Sequence, residues 1–311
     1  MAGYKTRRRL LLAKIETTYG TDAAPDAMAN AILTRSVSVT PMAGDDIERP
    51  LDRPYFGNAP RVAGEKHVEL EIQVELAGSG AAGTAPSWAP LLRACGFAET
   101  VNAGTDVIYN PITGNEESLS CWIHRDGVLH KFTGGRGNVS FTLDVNGIPY
   151  MTFRFLGLLA PISNAAIPAS DTSGFIAPLP VTSQNTSNFT LHGTALSYSQ
   201  LSIDMAVNAV KHQVVGPQTS VLITDRAPSG TVVVEEPELA TLDLYTKARD
   251  ASLGTFSLTH GTVAGNIVEF AAPKVGTGSP TEQDLNGVQM LSVPLTINPD
   301  AGNDELVITV K

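Results

Sequence analysis

Val68-Glu69-Leu70-Glu71-Ile72-Gln73-Val74-Glu75-Leu76 alternates apolar and polar residues without a break. A period of two marks a strand with one buried face and one wet face. Every wet-face residue in the stretch is an acid or an amide, so the strand belongs on a sheet with one solvated side. That side reads as the wall of a channel. Further along, Leu201, Ile203, Met205 and Val207 alternate with Ser202, Asp204 and Asn208 in a second long strand of the same kind. The wall-facing candidates are therefore Glu69, Glu71, Gln73, Glu75, Asp204 and Asn208.

The rest of the composition agrees with a mainly β chain. There are 311 residues, enough for one large or two medium domains, with 28 Gly, 20 Pro and only 17% charged residues. Long helical periodicities are absent. A net charge of -10 argues against a surface that grips nucleic acid, which needs clustered Lys and Arg. Cys95 and Cys121 have no CxxC spacing, so neither a disulfide framework nor a zinc site is indicated, and both are expected as buried free thiols. Arg7-Arg8-Arg9 precedes an apolar run of only Leu10 to Ala13, too short for a signal peptide. No other stretch approaches membrane-spanning length, and a soluble compartment is expected.

Taken in order, residues 1–30 read as an N-terminal arm. A strand from Ile32 to Thr40 follows. Next comes a polar excursion from Met42 to Lys66, broken by Pro50, Pro54 and Pro60; structureless loops of this length are usually functional. Asp45, Asp46, Glu48, Arg49, Asp52 and Arg53 offer polar contacts there, beside Tyr55 and Phe56. Gly78-Ser79-Gly80-Ala81-Ala82-Gly83 fits G-x-G-x-x-G, but the strand before it alternates, whereas a dinucleotide-binding strand is apolar on both faces. It reads as a linker. Ser87 caps a short helix from Trp88 to Cys95, stopped by Gly96. A hairpin over Leu119 to Phe132 turns at Asp126-Gly127, and a second turn at Asn146-Gly147 leads into Tyr150 to Leu158.

That hairpin register pairs Ile123 with His130 and His124 with Leu129, sending the two histidines to opposite faces where they cannot share an ion. No G-x-S-x-G elbow is present, and no spacing joins a nucleophile to a His and an acid. No catalytic, metal or cofactor site is expected.

Residues 161–190, rich in Pro, Ser and Ala, read as a connection between domains. After it the pattern begins again: a strand at Leu201, an excursion from Lys211 to Ser229, a strand from Thr231 to Glu235, a helix from Pro237 to about Arg249, and a hairpin from Phe256 to Phe270. Asn286-Gly287-Val288-Gln289-Met290-Leu291 then echoes Asn146-Gly147-Ile148-Pro149-Tyr150-Met151. An internal duplication is the economical reading, with domains at 31–160 and 191–311.

Lys14-Ile15-Glu16, Tyr19-Gly20-Thr21-Asp22, Pro25, Asn30-Ala31-Ile32-Leu33 and Arg53-Pro54-Tyr55-Phe56-Gly57 resemble the opening of the major tail (tail tube) proteins of long, non-contractile-tailed bacteriophages. Gly78-Ser79-Gly80, Gly83-Thr84-Ala85-Pro86, Leu91-Leu92-Arg93-Ala94-Cys95-Gly96 and Asp126-Gly127-Val128 continue the likeness, which covers residues 10 to 160 well. The resemblance implies two tandem β-sandwich or barrel domains, each with a flanking helix. It implies stacked rings whose inner strands close into one continuous barrel, with Met42 to Lys66 reaching the adjacent ring. It implies a virion protein with the tape-measure protein and viral DNA in its lumen and tail-tip and tail-terminator proteins at its ends. Two folds per chain then predict rings of three chains with pseudo-sixfold appearance. An adhesin built of tandem β-sandwiches, and a carbohydrate-active enzyme with paired carboxylates, are the other readings. The 6% aromatic content is sparse for a sugar-binding cleft.

Overall fold

The computed structural model describes residues 3–215 and 219–311. The first half contains β1 (Arg9–Ile15), β2 (Ala31–Ile32), β3 (Ser36–Ala43), β4 (His67–Glu75), α1 (Ala89–Arg93), β5 (Phe97–Asn102), β6 (Asp106–Pro111), β7 (Leu119–Arg125), β8 (Gly127–Thr142) and β9 (Tyr150–Leu159). The second half contains β10 (Ser163–Ala165), β11 (Thr186–Leu191), β12 (Thr194–Ala195), β13 (Tyr198–Asp204), β14 (Val207–His212), β15 (Ser220–Arg226) and β16 (Ser229–Glu235). It finishes with α2 (Leu244–Arg249), β17 (Leu253–His260), β18 (Val268–Thr277), β19 (Thr281–Leu285), β20 (Val288–Asn298) and β21 (Val307–Val310). The fold is mainly β and antiparallel throughout.

The alternation in β4 does what a period of two requires. Val68, Leu70, Ile72 and Val74 are at most 2% exposed, while Glu69 and Glu71 on the other face are open to solvent. With both edges of β4 occupied, by β3 and by β9, this apolar face is sealed into one core. β9 then pairs with β8, which completes a four-stranded unit in the order β3-β4-β9-β8. The second half builds the same order from its own strands: β13 on β16, β16 on β20, and β20 on β18 and its continuation β19. The two units join edge to edge where β8 pairs with β13, matching Thr142 to Ser202, Phe141 to Ile203 and Ser140 to Asp204. Leu143 N donates to Leu201 O, Val145 N to Ser199 O and Met205 N to Val139 O, which extends this seam at both ends. Eight strands therefore form one sheet across the chain.

A second layer covers the apolar side of this sheet. β8 is long enough to serve both layers: its N-terminal half pairs with β7, and β7 with β1. A bulge between Thr133 and Arg136 bends it from one layer to the other, with Gly134 at φ +61°. A Cβ on Gly157 of the neighbouring strand β9 would lie 2.1 Å from the Phe132 ring, so only glycine leaves room for that ring. The second half is covered by β17, β18 and β21, and β21 also pairs with β6 of the first half. Between the layers Phe141 meets Phe270 edge to face at 5.2 Å, carrying one core across both halves. Trp88 Nε1 donates to Ala77 O at 2.8 Å, which satisfies the one polar atom of a ring buried beneath α1.

Several expectations change. Residues 1–30, read as an arm, supply β1, whose Leu10 to Ala13 are buried by pairing with β7 and β2. The strand expected from Ile32 to Thr40 is broken between β2 and β3. The alternating run through Val207 stops at Ala206, which turns at φ +46° and sends the chain into the β14–β15 hairpin. The helix placed from Pro237 begins only at Leu244, where Asp243 accepts a hydrogen bond from Thr246 N and caps it. The Asp126-Gly127 turn has the expected pairing of Arg125 with Val128. Asn146-Gly147 is instead part of a wider connection pinned to Val181 by backbone hydrogen bonds in both directions.

Candidate functional site

The polar face of the eight-stranded sheet is built from the outward members of each alternating strand. One row runs Ser38, Glu71, Arg154 and Asn138 across β3, β4, β9 and β8. Another runs Ser140, Asp204, Ser229 and Thr296 across β8, β13, β16 and β20. Thr142, Ser202, Thr231 and Pro294 form a third. Short hydroxyls dominate, so the surface is smooth and hydrated, and its charge comes chiefly from carboxylates on β4.

Those carboxylates differ in their partners. Glu71 Oε2 is 2.9 Å from Arg154 Nε on the neighbouring strand, and Glu69 Oε1 lies 3.3 Å from His67 Nε2. Gln73 sits opposite Ser36 and Thr152, half-buried. Glu75 is opposite Tyr150, on whose ring Arg35 stacks at 4.8 Å. Asp204 lies at the seam between the halves: its Oδ1 accepts from Asn138 Nδ2 at 2.6 Å and from Ala206 N at 2.8 Å, while Asn138 Oδ1 accepts from Val207 N. Asn138 thus ties the two four-stranded units together. Asn208 is on β14 rather than on the face, bonded to Thr224 Oγ1, and lines a groove with Glu69, Glu71 and Arg154. Five of the six wall-facing candidates share the face, and Asn208 borders it.

The excursion between β3 and β4 leaves the body as a ribbon. Ile47 and Val62 exchange backbone hydrogen bonds at 2.8 and 3.0 Å, with Lys66 Nζ gripping Asp46 Oδ1 and Gly44 O at its base. That lysine holds the Asp46 carboxyl below the usual carboxylate range. Glu48 faces Arg61 at 3.9 Å, and Arg53 lies over the Tyr55 ring at 6.0 Å. Asp45, Arg49 and Asp52 are exposed with them, and Leu51, Tyr55 and Phe56 hold their apolar surface in solvent, Phe56 completely. The counterpart in the second half, β14–β15, lies back against the first: Val221 N donates to Tyr19 Oη at 2.6 Å, Arg136 Nη1 to Val221 O, and Ile223 packs on the core.

Among the described residues the histidines and cysteines lie apart. His124 and His130 stand on opposite faces of the hairpin, and no three His, Cys, Asp or Glu side chains converge. Cys95 and Cys121 are buried and unpaired with each other, and burial pushes both thiols up, away from reactive thiolate. No described helix is long and apolar enough to cross a membrane. Sequence reasoning missed Arg154, although it follows Thr152 at the polar parity of its strand and could have been placed on the face.

A search of curated proteins finds no match to the chain. The family model described as phage tail tube protein matches residues 6–298, which takes in both four-stranded units and the seam between them. The chain belongs to the phage tail tube protein family and is a structural protein of the virion tail.

Proposed function

We propose that this protein polymerises as stacked trimeric rings into the tail tube and that the viral genome passes through the lumen on ejection. One observation carries the reading: two four-stranded units of identical strand order lie edge to edge in one chain, with the outer edge of β3 open at one end and that of β19 at the other. Three chains then supply six units, and ring closure removes edges that would otherwise template aggregation. The polar face lines the channel. Its carboxylates repel phosphate, so DNA slides instead of adsorbing. Glu71 is balanced by Arg154, which leaves Glu69, Glu75, Asp204 and, at the polar parity of β16, Glu235 among the charges the DNA meets. The excursion carrying Tyr55 and Phe56 contacts the adjacent ring, the tape-measure protein occupies the lumen before the DNA, and tip and terminator proteins cap the ends.

The test is a mass measurement on isolated rings, or a reconstruction of tubes grown from purified protein. Three chains per ring with pseudo-sixfold density is the expected result; six chains per ring refutes it.

A further inference from the structure

We infer that the seam between neighbouring chains copies the seam inside the chain, with Val39 of one copy opposite Glu282 of the next. This rests on the ring reading above and fixes the residues that close the ring. The internal seam gives the rule. Equivalent positions follow from pairings on the shared strand order: Gln73 on β4 corresponds to Val233 on β16, so their partners Ser36 and Gln200 correspond. Val39 is then the counterpart of Ile203. In the same way Met151 corresponds to Leu291, whose partners are Phe141 on β8 and Glu282 on β19. Ile203 pairs with Phe141 inside the chain, so Val39 pairs with Glu282 between chains. The neighbours follow: Ser38 with Gln283, Thr40 with Thr281, Val37 with Asp284 and Ser36 with Leu285.

Two independent features agree with this register. The first is hydrogen-bond parity. Asn286 and Gly287 both have positive φ, at +57° and +85°, as a two-residue hairpin turn requires, so Leu285 and Val288 form its bonded pair. Bonded pairs alternate along an antiparallel ladder. Gln283 and Thr281 therefore bond to β20, while Glu282 and Asp284 turn their N–H and C=O outward. On β3 the carbonyl of Val37 also points away from β4, since Arg9 Nη1 donates to it at 2.5 Å. Outward groups thus meet outward groups in the proposed register, and a slip by one residue would not allow it. The second is charge. β19 presents Glu282 and Asp284, whereas β3 carries no acid and has the Arg9 guanidinium beside Val37, opposite Asp284.

Pro41 and Pro280 fall opposite each other just beyond Thr40 and Thr281. In the internal seam that place holds the bond from Met205 N to Val139 O, which proline cannot donate. The intermolecular ladder stops there and is shorter than the internal one. Prolines on free edges also hold back premature pairing.

Cysteines test the register directly. Ser38 and Gln283 form a non-bonded pair on the polar face, where Cα atoms lie about 4.5 Å apart and a disulfide is geometrically easy. Tubes of the S38C/Q283C protein should become covalently linked between chains on oxidation, ending at a closed trimer on non-reducing gels. The S38C/E282C protein, with its thiols on opposite faces, should not. Linkage that runs past the trimer to a closed hexamer would support the register and refute the three-chain ring. Tubes that fail to link at S38C/Q283C, or link better as T40C/Q283C, overturn the register. Hydrogen exchange on the unsubstituted protein reads the same claim: the amides of Val37, Val39, Glu282 and Asp284 should become protected on assembly. If they exchange equally fast in tubes and in free chains, the seam is elsewhere.

Discussion

Glu16 is a residue whose removal the structure makes costly. It lies just after β1 at 8% exposure, and its carboxylate accepts four hydrogen bonds: from Ser120 Oγ and Gly134 N at Oε1, and from Ser118 Oγ and Gly20 N at Oε2, all between 2.7 and 2.8 Å. These donors come from β7, from the residue just before it, from the bulge in β8 and from the turn that follows β1, so one side chain locks the N-terminal stretch onto the body. Hydrogen bonds to a charged group contribute about 1.5–3 kcal/mol each, and a buried donor left unpaired costs about 1–3 kcal/mol. In Glu16→Ala the two hydroxyls can rotate to other acceptors, but the amides of Gly20 and Gly134 lose their partner. The expected loss is about 3–5 kcal/mol, in line with breaking a buried charged network. Glu16→Gln keeps one acceptor oxygen and turns an NH2 group toward two donors, at a cost of about 2 kcal/mol. Urea denaturation of the unassembled chain at neutral pH, followed by tryptophan fluorescence, gives both values. If Glu16→Gln falls within about 0.5 kcal/mol of the parent protein, the order of surface effects, the network does not hold the fold.

Other expectations can be checked on assembled tubes or on free chains. Glu69→Lys with Glu75→Lys should assemble normally and slow DNA ejection most at low salt, the salt slope growing by up to about 0.9 for each phosphate the new lysines neutralise; unchanged ejection at every salt concentration would take these residues off the channel wall. The matching Gln variants should form tubes of normal length, and failure to do so would make the carboxylates interface ligands. Replacing residues 44–64 with a short Gly-Ser linker should leave a folded subunit that makes no long tubes, and normal tubes would show the excursion to be dispensable. Burial lowers the pKa of His124, His130, His192 and His260, so each is held neutral in the fold while the unfolded chain takes up protons near pH 6.5. Stability should therefore be full above that pH and fall as the pH drops through it. His260→Gln should flatten the slope between about pH 7.5 and 5.5, on either side of the ordinary histidine value; an unchanged slope would remove His260 from the effect.

What the sequence made legible was periodic and local. The β4 alternation named its own buried and wet faces, and Asp126-Gly127 specified the β7–β8 register to the residue, because turn chemistry and pleat act over a few neighbours. The shared strand order of the two halves was legible because two Asn-Gly signals lay at matching places, even though only the second forms a tight turn. The misses are non-local. Nothing in Arg9 to Ile15 announces that β7, more than a hundred residues on, will bury it. The run from Leu201 through Val207 keeps its alternation while Ala206 breaks the strand, since pattern carries no information about φ. For α2, Pro237 suggests a start that the chain does not use, whereas Asp243, three residues before Thr246, carries the stronger capping chemistry.

The two halves share an order of strands but have divided the work at their edges. Where β8 meets β13, the ladder is reinforced by the Asn138 side chain bonding both Asp204 and Val207 N, and by Phe141 packing on Phe270. The free edges have none of this: β19 is exposed along its whole length, and β3 carries proline and short polar residues. In the ring proposed above, two units in one chain make every second of the six seams intramolecular, so its formation costs no association entropy. In that ring the internal seam holds buried contacts without promoting aggregation of free chains, while the proposed intermolecular seams form only in the growing tube. The same division appears in the excursions. β14–β15 is folded back on its own chain through Tyr19, Arg136 and the core, whereas Tyr55 and Phe56 stay in solvent. Of the two corresponding loops, one packs on its own subunit, and the other is the one proposed above to contact the adjacent ring.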